Sequence, residues 1–225
     1  MKLSADMGSR AESLPGAARS RLGRRAGFVV VKLGGSHAFG PYLRDWLSAI
    51  VAETGAIMVV PGGGPFADAV RAAQGEIGFD DRAAHAMALM AMTQFGCALQ
   101  SLEPRLRLTR SRAAIRRALR EGMVPVWAAE AMALAAGLPA TWALTSDSLA
   151  AWLAGELRTA NILLIKHGRI DAPKIDADQL AERGVVDPLF PHYFRQSGAR
   201  AWLAAEDDSA KLALGLRRAI FPEIV

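Results

Sequence analysis

The stretch VVVKLGGSHAFG, residues 29–40, decides the fold of this chain. Its β-branched start predicts a buried strand over residues 28–33, with the charge of Lys32 near the strand's end. Gly34 and Gly35 follow directly, and without side chains their backbone N–H groups can approach a ligand closely. Exposed N–H groups beside a cation are what a bound anion needs. The stretch therefore predicts a strand that leads into an anion site.

The rest of the chain continues as an alternation of strands and helices. Apolar runs predict further strands at residues 57–60, 123–127, 162–165 and 199–203. Helical spacing, capping residues and terminal glycines predict helices at residues 41–54, 80–100, 111–121, 130–136 and 147–157, and Pro65 suits the first turn of one more. This alternation indicates an α/β fold, a three-layer αβα sandwich around a mostly parallel open sheet.

Length and charge set the domain organisation. The chain has 225 residues, of which 52% are hydrophobic and 22% charged, as expected for one globular domain. Its net charge of +5 lies mostly in residues 1–27, where six basic side chains face two acidic ones. We therefore predict a flexible basic leader at residues 1–27 and a single domain at residues 28–225. A targeting peptide or a basic interaction arm is the alternative for the leader. No apolar stretch is long and unbroken enough to predict a membrane span.

Cysteine and histidine usage bounds the compartment and the metal content. The single cysteine, Cys97, excludes an internal disulfide framework and fits a reducing, cytoplasmic compartment. Its place in a helical stretch predicts a small buried residue. The four histidines are scattered without zinc-binding spacing, so the sequence predicts no structural metal.

A cluster of seven arginines is the other notable charge feature. Three interpretations stay open: a solvated face or subunit contact, a rim that attracts anionic substrates, and a nucleic-acid surface. The last is disfavoured, because no aromatic residues interleave the arginines for base stacking. The cluster comprises Arg105, Arg107, Arg110, Arg112, Arg116, Arg117 and Arg120.

Further anion-binding features follow other predicted strands. The glycines of VVPGGGP, residues 59–65, follow the second strand, and Lys166 ends the strand predicted at 162–165. Asp147 opens a helix within TSD, residues 145–147. Ligands of open α/β sheets bind beyond the carboxyl ends of the strands, where all these features fall. Two glycine loops and two lysines at one edge predict a single polyanion or two anionic substrates that meet.

Each of these signals has a plainer interpretation. Glycine loops also occur as tight turns, and Asp147 could serve only as a helix N-cap. The two best-known phosphate motifs, G-x-x-x-x-G-K-[ST] and a G-x-G-x-x-G after a strand, are absent from the sequence. The ordered set of Lys-Gly-Gly-Ser, Gly-Gly-Gly-Pro and Ser-Asp is what favours a shared site.

That ordered set resembles the amino acid kinase family, which includes acetylglutamate, aspartate, uridylate and isopentenyl phosphate kinases. VVKLGGS (30–36) resembles the family's phosphate-binding lysine and first glycine loop, VVPGGGP (59–65) its second loop, and TSDSLAAWLA (145–154) the helix with its aspartate. The stretches HAMALMAMTQFG, VPVWAAEAM and WALTSDSLAAWLA are most similar to one small branch of the family. That branch converts [5-(aminomethyl)furan-3-yl]methyl phosphate to its diphosphate in methanofuran biosynthesis.

The resemblance implies ATP-dependent phosphoryl transfer with Mg²⁺ to a small phosphorylated substrate, in a homo-oligomer without nucleic-acid or membrane partners. A uridylate- or isopentenyl phosphate-type kinase, or a non-catalytic nucleotide- or oxyanion-binding protein, remains the alternative. An apolar wall from Met87, Met90 and Trp142 would suit the acceptor, and Arg82 is the candidate clamp for a carboxylate. The resemblance assigns catalysis to Lys32, Asp147 and Lys166, ATP and phosphate binding to Gly34, Gly35, Ser36 and Ser146, and acceptor binding to Gly62, Gly63, Gly64 and His85.

One stretch departs from the family pattern. Many members follow the strand that ends in the second lysine with an acidic turn that frames the nucleotide base. Here the sequence is IKHGRIDAPK, residues 165–174, in which His167 and Arg169 replace the acids. The resemblance therefore does not extend to recognition of the base.

Overall fold

The computed structural model describes residues 28–215 and 220–225, so the predicted basic leader lies outside the described part. The strands are β1 Val29–Leu33, β2 Ile57–Pro61, β3 Leu106–Thr109, β4 Val124–Trp127, β5 Asn161–Lys166, β6 Lys174–Ile175, β7 Arg200–Ala205 and β8 Glu223–Ile224. The helices are α1 Leu43–Ala52, α2 Gly64–Ile77, α3 Asp81–Leu102, α4 Arg112–Arg120, α5 Glu130–Ala135, α6 Ser146–Leu157, α7 Ala177–Glu182 and α8 Phe190–Ser197, with 3₁₀ turns at Gly35–Phe39 and Ser209–Leu214.

The strands form one sheet in the order β3-β4-β2-β1-β5-β7-β8-β6. Among the strands of the described residues, six neighbours run parallel and only β7–β8 pairs antiparallel, so β8 and β6 run against the rest. β1 lies between β2 and β5, with Leu33 opposite both Pro61 and Ile165. The carboxyl ends of these three strands therefore meet at one edge, and the predicted α/β fold with a mostly parallel sheet is confirmed.

Alternation along the strands divides the core into two layers. Val30, Met58 and Leu164 pack on one face, with α6 and α8. Val31 and Val59 pack on the opposite face, with α1. Because successive side chains of a strand point to opposite faces, this parity also fixes the direction of every polar residue at the strand ends. Helices on both faces complete the predicted three layers.

The structure departs from the sequence predictions at the sheet edge and on α3. Edge strand β3 was not predicted, because Arg105 precedes it and Arg107 interrupts its apolar residues, which suggests a charged surface instead. Both arginines are exposed beside an outermost strand, where charged side chains are common. Cys97 lies on α3 as predicted, but it is exposed rather than buried. Within the described ranges, no helix is both long and apolar enough to cross a membrane.

Candidate functional site

Strand parity brings the two lysines together. Lys32 of β1 and Lys166 of the adjacent parallel β5 occupy even positions, as do Val30 and Leu164, so both side chains emerge on the face covered by α6. The first turn of α6 carries Asp147. The strand ends therefore direct two cations at one carboxylate, although the residues are widely separated in sequence.

A buried charge triad results. Lys32 Nζ lies 3.0 Å from Asp147 Oδ1, and Lys166 Nζ lies 2.6 Å from Asp147 Oδ2. Lys32 and Asp147 are 5% and 3% exposed, while the side chain of Lys166 is 16% exposed. The triad carries a net charge of +1 next to a cavity, and a charge that is not neutralised by its own neighbours attracts an anion.

Burial and neighbouring charges shift the pKa values of Lys166 and Asp147, and both values end below the ordinary ones. Burial and the nearby ammonium of Lys32 lower the pKa of Lys166 to about 8, despite the attraction of Asp147. Burial alone would raise the pKa of Asp147, but Lys32 and Lys166 outweigh it and hold that pKa below its ordinary value. Asp147 thus stays charged at neutral pH. The protonation of Lys166 depends on the charge of an ion that enters the site.

A second carboxylate relieves Asp147 of any capping duty. Asp187 Oδ2 accepts hydrogen bonds from the backbone N–H of Thr145 and of Ser148, each at 3.0 Å, and from the Thr145 hydroxyl at 2.7 Å. Asp187 Oδ1 accepts from the Ser148 hydroxyl. Asp187 thereby satisfies N–H groups at the start of α6, a task normally done by the N-cap side chain. The interpretation of Asp147 as a simple N-cap is wrong, because its carboxylate points to the lysines.

The two glycine loops pack backbone against backbone. A Cβ on Gly35 would collide with the backbone of Gly64, and a Cβ on Gly62 would collide with the backbone of Gly35. Gly64 also has a φ of +55°, a left-handed conformation that favours glycine. The missing side chains are therefore required first by the contact between the loops, and the backbone N–H of Gly62 itself donates to the Leu33 carbonyl oxygen at 2.8 Å.

Gly34 has a different environment from the other loop glycines. It is buried and does not line the cavity, and a Cβ there would lie 3.2 Å from Lys32 Nζ. Its contribution is space for the lysine side chain. Of the residues assigned to phosphate binding, Gly35, Ser36 and Ser146 line the cavity directly.

A cavity of about 290 Å³ joins the charge triad to the glycine loops. Ten of the eleven predicted site residues line it, together with apolar side chains. The lining residues predicted from the sequence are Lys32, Gly35, Ser36, Gly62, Gly63, Gly64, His85, Ser146, Asp147 and Lys166, with Trp142 as the predicted wall.

The far wall differs from the prediction. Trp142 lines the cavity as expected, but Met87 and Met90 are exposed outside it, and Leu89 and Met92 of the same helix replace them. Residues three or four apart share one face of a helix. Leu89 and Met92 lie four and seven residues after His85 and share its face, whereas Met87 and Met90 point away from it. Arg82 does not line the cavity either.

Arg71 of α2, rather than Arg82, lines the cavity. The guanidinium of Arg71 lies 4.3 Å from the centre of the Trp142 ring, within range of a cation–π contact. Trp142 Nε1 donates to Gln74 Oε1 at 2.7 Å, and Gln74 Nε2 donates to Asp81 Oδ1 at 2.8 Å. This chain fixes the orientation of the indole. For α2 the sequence offered only Pro65 as a helix-start signal, and Gln74 and Trp142 lie 68 residues apart, so no local spacing reveals the pair.

His85 enters the same cavity from α3. Burial lowers its pKa below the ordinary value, so the ring is neutral at neutral pH. Its Nε2 is buried and has no hydrogen-bond partner among the described residues. A buried polar atom without a partner is costly, and a bound ligand would relieve that cost. This supports the prediction that His85 faces the acceptor.

The departure from the family pattern forms a charged clasp at the same sheet edge. His167 Nδ1 lies 2.6 Å from Glu206 Oε2, and Arg169 pairs with Asp207 and Asp208 at 2.8 and 3.2 Å. A second cavity of about 280 Å³ lies beside this clasp, lined in part by Gly168, Arg169 and Lys211. Where many family members have acidic residues after this strand, His167 and Arg169 instead pair with the acidic residues that follow β7.

The arginine cluster lies away from both cavities. All seven arginines are exposed, and none of them lines either cavity. Several pair with nearby acids, including Arg105 with Glu103 at 3.0 Å, Arg110 with Glu130 at 3.5 Å and Arg117 with Glu121 at 2.8 Å. This arrangement supports a solvated face and opposes a substrate-attracting rim.

Known proteins resemble this chain in sequence and in fold. A sequence model of the amino acid kinase family matches residues 27–168. The fold is similar to that of uridylate kinase from Archaeoglobus fulgidus, with a TM-score of 0.65 and 18% identity over 88% of this chain and 100% of that one. UMP kinase from Ureaplasma parvum gives a TM-score of 0.67 and 18% identity over 89% and 99% of the two chains.

A more distant solved structure shares the architecture. Aspartate kinase from Synechocystis gives a TM-score of 0.58 and 15% identity over 88% of this chain and 39% of that one. A search of curated protein sequences found no match. At these identities the structural likeness establishes the fold, while the family match rests on the sequence.

Proposed function

Because this chain belongs to the amino acid kinase family and is a phosphotransferase of the kinase class, we propose that it transfers the γ-phosphoryl group of ATP to a small phosphate monoester. The product is then a diphosphate. The observation that carries this proposal is the buried triad of Lys32, Asp147 and Lys166, which lines one cavity together with two glycine loops. Two cations beside glycine-rich backbone in one cavity suit two anions that react with each other.

The chemistry asked of these residues is positioning and charge neutralisation. An oxygen of the acceptor phosphate attacks the γ-phosphorus, and the bond from that phosphorus to the oxygen of the leaving ADP breaks. The transition state is loose, with charge spread over the phosphoryl oxygens. Lys32 and Lys166 would neutralise that charge, and Asp147 would position both ammonium groups. An acceptor phosphate is already an anionic nucleophile, so no general base is needed.

The donor side would hold ATP with Mg²⁺. Within the described ranges, no three His, Cys or acidic side chains gather around Asp147 as a metal site. Mg²⁺ binds substrate phosphates and water readily, so we propose that it enters with ATP and that it supplies charge neutralisation of the phosphates. Gly168, two residues after Lys166, lines the second cavity, which supports placing the nucleoside part of ATP there.

The far end of the first cavity supports a small aromatic acceptor with a cationic group. Trp142 offers a flat apolar wall with a fixed orientation, and the unpaired His85 Nε2 offers one hydrogen bond. Asp68 and Asp81 also line the cavity and could receive an ammonium group. These features fit [5-(aminomethyl)furan-3-yl]methyl phosphate, and the cavity's volume of about 290 Å³ suits a small acceptor.

A uridylate kinase is the second candidate function. The fold resembles two structures described as uridylate or UMP kinases, and the Trp142 ring could stack on a pyrimidine as well as on a furan. The two candidates differ in what the acidic lining residues would meet, because uracil carries no cation. An isopentenyl phosphate acceptor would use the apolar wall but would offer no cation to Asp81 and no hydrogen bond to His85 Nε2.

The test is an ADP-release assay with MgATP and a panel of acceptors. We expect the highest kcat/KM for the aminomethyl-furan phosphate and a loss of at least about tenfold for its analogue without the amine, since charge-assisted hydrogen bonds are strong. Asp81→Asn should remove that preference, whereas Met87→Ala, outside the cavity, should keep it. Preference for UMP would reassign the acceptor, and no ADP release with any acceptor would contradict the kinase proposal.

A further inference from the structure

Two of the four histidines that look scattered in the sequence meet in space. His37 lies in the 3₁₀ turn after the first glycine loop, His167 follows β5 directly, and Glu206 follows β7 directly. One ligand atom from each of the three lies within 4.8 Å of the others. The arrangement arises because β1, β5 and β7 are neighbours in a parallel sheet whose carboxyl ends coincide. Kinase activity as proposed above uses none of these three side chains.

We propose that His37, His167 and Glu206 form a binding site for a divalent transition metal, with zinc as the best-suited ion. Two imidazoles and one carboxylate are a donor set that zinc uses in proteins, with water as the fourth ligand. Imidazole nitrogen favours zinc over magnesium or calcium, which prefer oxygen. The site is therefore distinct in chemistry from the Mg²⁺ that accompanies ATP.

His37 provides a fixed ligand. Its side chain is buried, with only 2% of the residue exposed. Its Nε2 lies 3.3 Å from the backbone carbonyl oxygen of Ile165. A carbonyl oxygen only accepts hydrogen bonds, so Nε2 carries the proton and Nδ1 keeps a free lone pair. A metal-binding histidine typically donates its other ring N–H to a carbonyl or a carboxylate in this way.

The other two ligands can adjust. The side chains of His167 and Glu206 are 48% and 31% exposed, and they share a hydrogen bond of 2.6 Å. The rings of His37 and His167 are stacked, with centroids 4.2 Å apart. Zinc–ligand bonds of about 2.0–2.1 Å place tetrahedral ligand atoms roughly 3.3 Å apart. The ligand atoms lie within 4.8 Å of one another, and the partly exposed imidazole and carboxylate are the side chains whose rotation would bring the three atoms to bonding distance.

Charges of both signs surround the cluster, and Glu206 supplies the negative charge within it. Lys32 lies close enough to His37 to disfavour extra positive charge there, while Glu206 favours it. Asp147 neutralises part of that lysine's charge at 3.0 Å. Asp207 and Asp208 follow Glu206 directly and are held by Arg169, so they leave Glu206 as the carboxylate closest to the imidazoles. Bound zinc would tie the first glycine loop to the ends of β5 and β7.

The test measures zinc binding directly, with no kinase assay. The protein carries Cys97→Ser so that the exposed thiol does not capture metal, and zinc affinity is measured by competition with a chromophoric chelator. We expect one zinc per chain and a visible cobalt spectrum of tetrahedral type after substitution with Co²⁺. His167→Gln and Glu206→Gln should each weaken zinc binding by at least about tenfold.

His192→Gln is the matched control, because His192 is an exposed histidine on α8 away from the cluster. It should bind zinc within about twofold of the parent, and far-UV circular dichroism should show that all variants fold without zinc. Zinc should also raise the melting temperature of the parent and of His192→Gln, but not that of Glu206→Gln. Equal zinc affinity in the parent and in both cluster variants, or no zinc binding by the parent, would overturn the proposal.

Discussion

Replacing Asp147 by asparagine tests the charge triad most directly. The substitution keeps the shape and one oxygen but leaves the ammonium groups of Lys32 and Lys166 side by side without a carboxylate. At 3.0 and 2.6 Å, each attraction amounts to about 5–6 kcal/mol with an effective dielectric constant of ~20. Burial of the charges offsets most of this, and removal of one partner from a buried ion pair costs about 3–5 kcal/mol. We expect a loss near the lower end, about 3 kcal/mol, because asparagine still accepts a hydrogen bond.

The pH dependence of that loss identifies its cause. Asp147 raises the pKa of Lys166, so in the variant this pKa falls further below the value of about 8 found in the parent. A lysine with a lowered folded-state pKa binds fewer protons than in the unfolded chain, so stability rises with pH above the folded-state pKa. As pH rises towards 8, the free energy of unfolding of the variant should therefore increase by up to about 1.4 kcal/mol per pH unit. In the same pH range, Lys166 should leave the free energy of unfolding of the parent unchanged.

Urea unfolding of the parent and the variant at about pH 6 and about pH 8.5 measures both quantities. Asp187→Asn is the control, because it removes a buried carboxylate from the same helix end without a lysine partner. Its deficit should be equal at the two pH values. Asp147→Asn should also lower kcat by at least about 100-fold, since the lysines lose their position. A pH-independent deficit together with activity within about threefold of the parent would refute the triad.

Three further predictions follow from the same geometry. Lys32→Met should lower kcat by at least about 100-fold, because a cation at the transferring phosphate is worth roughly 3 kcal/mol; it should retain the fold, since Asp147 and Lys166 remain a neutral pair, and activity within about threefold would exclude Lys32 from the chemistry. kcat/KM for MgATP should fall as pH rises through about 8, where free Lys166 loses its proton. Lys166→Arg should shift that fall upward, and an identical profile in this variant would contradict the assignment. Gly35→Ala should lower stability by about 2 kcal/mol and raise the KM for ATP, because its Cβ collides with Gly64; unchanged denaturation and KM would show that the loops do not touch.

The ordered motifs of the sequence predicted much of the candidate site. Lys32, the two glycine loops, Asp147 and Lys166 each follow or open an element whose type is evident from apolar runs and stop signals. Because the carboxyl ends of parallel strands share one edge, the motifs implied a common location before any distance was known. All of these residues line the cavity except Gly34, which leaves space for the Lys32 side chain.

The tertiary structure alone decided the partners of those residues. Asp187 caps a helix that begins 41 residues earlier in the chain, Arg71 covers Trp142, and His37 stacks on His167. None of these pairs shares a local spacing, since each depends on which elements are neighbours in the sheet and on its two faces. Local sequence determines the period and the ends of an element, and therefore which motifs reach the sheet edge. Only packing determines which distant side chains meet there, because contact depends on the relative position of elements that have no common repeat.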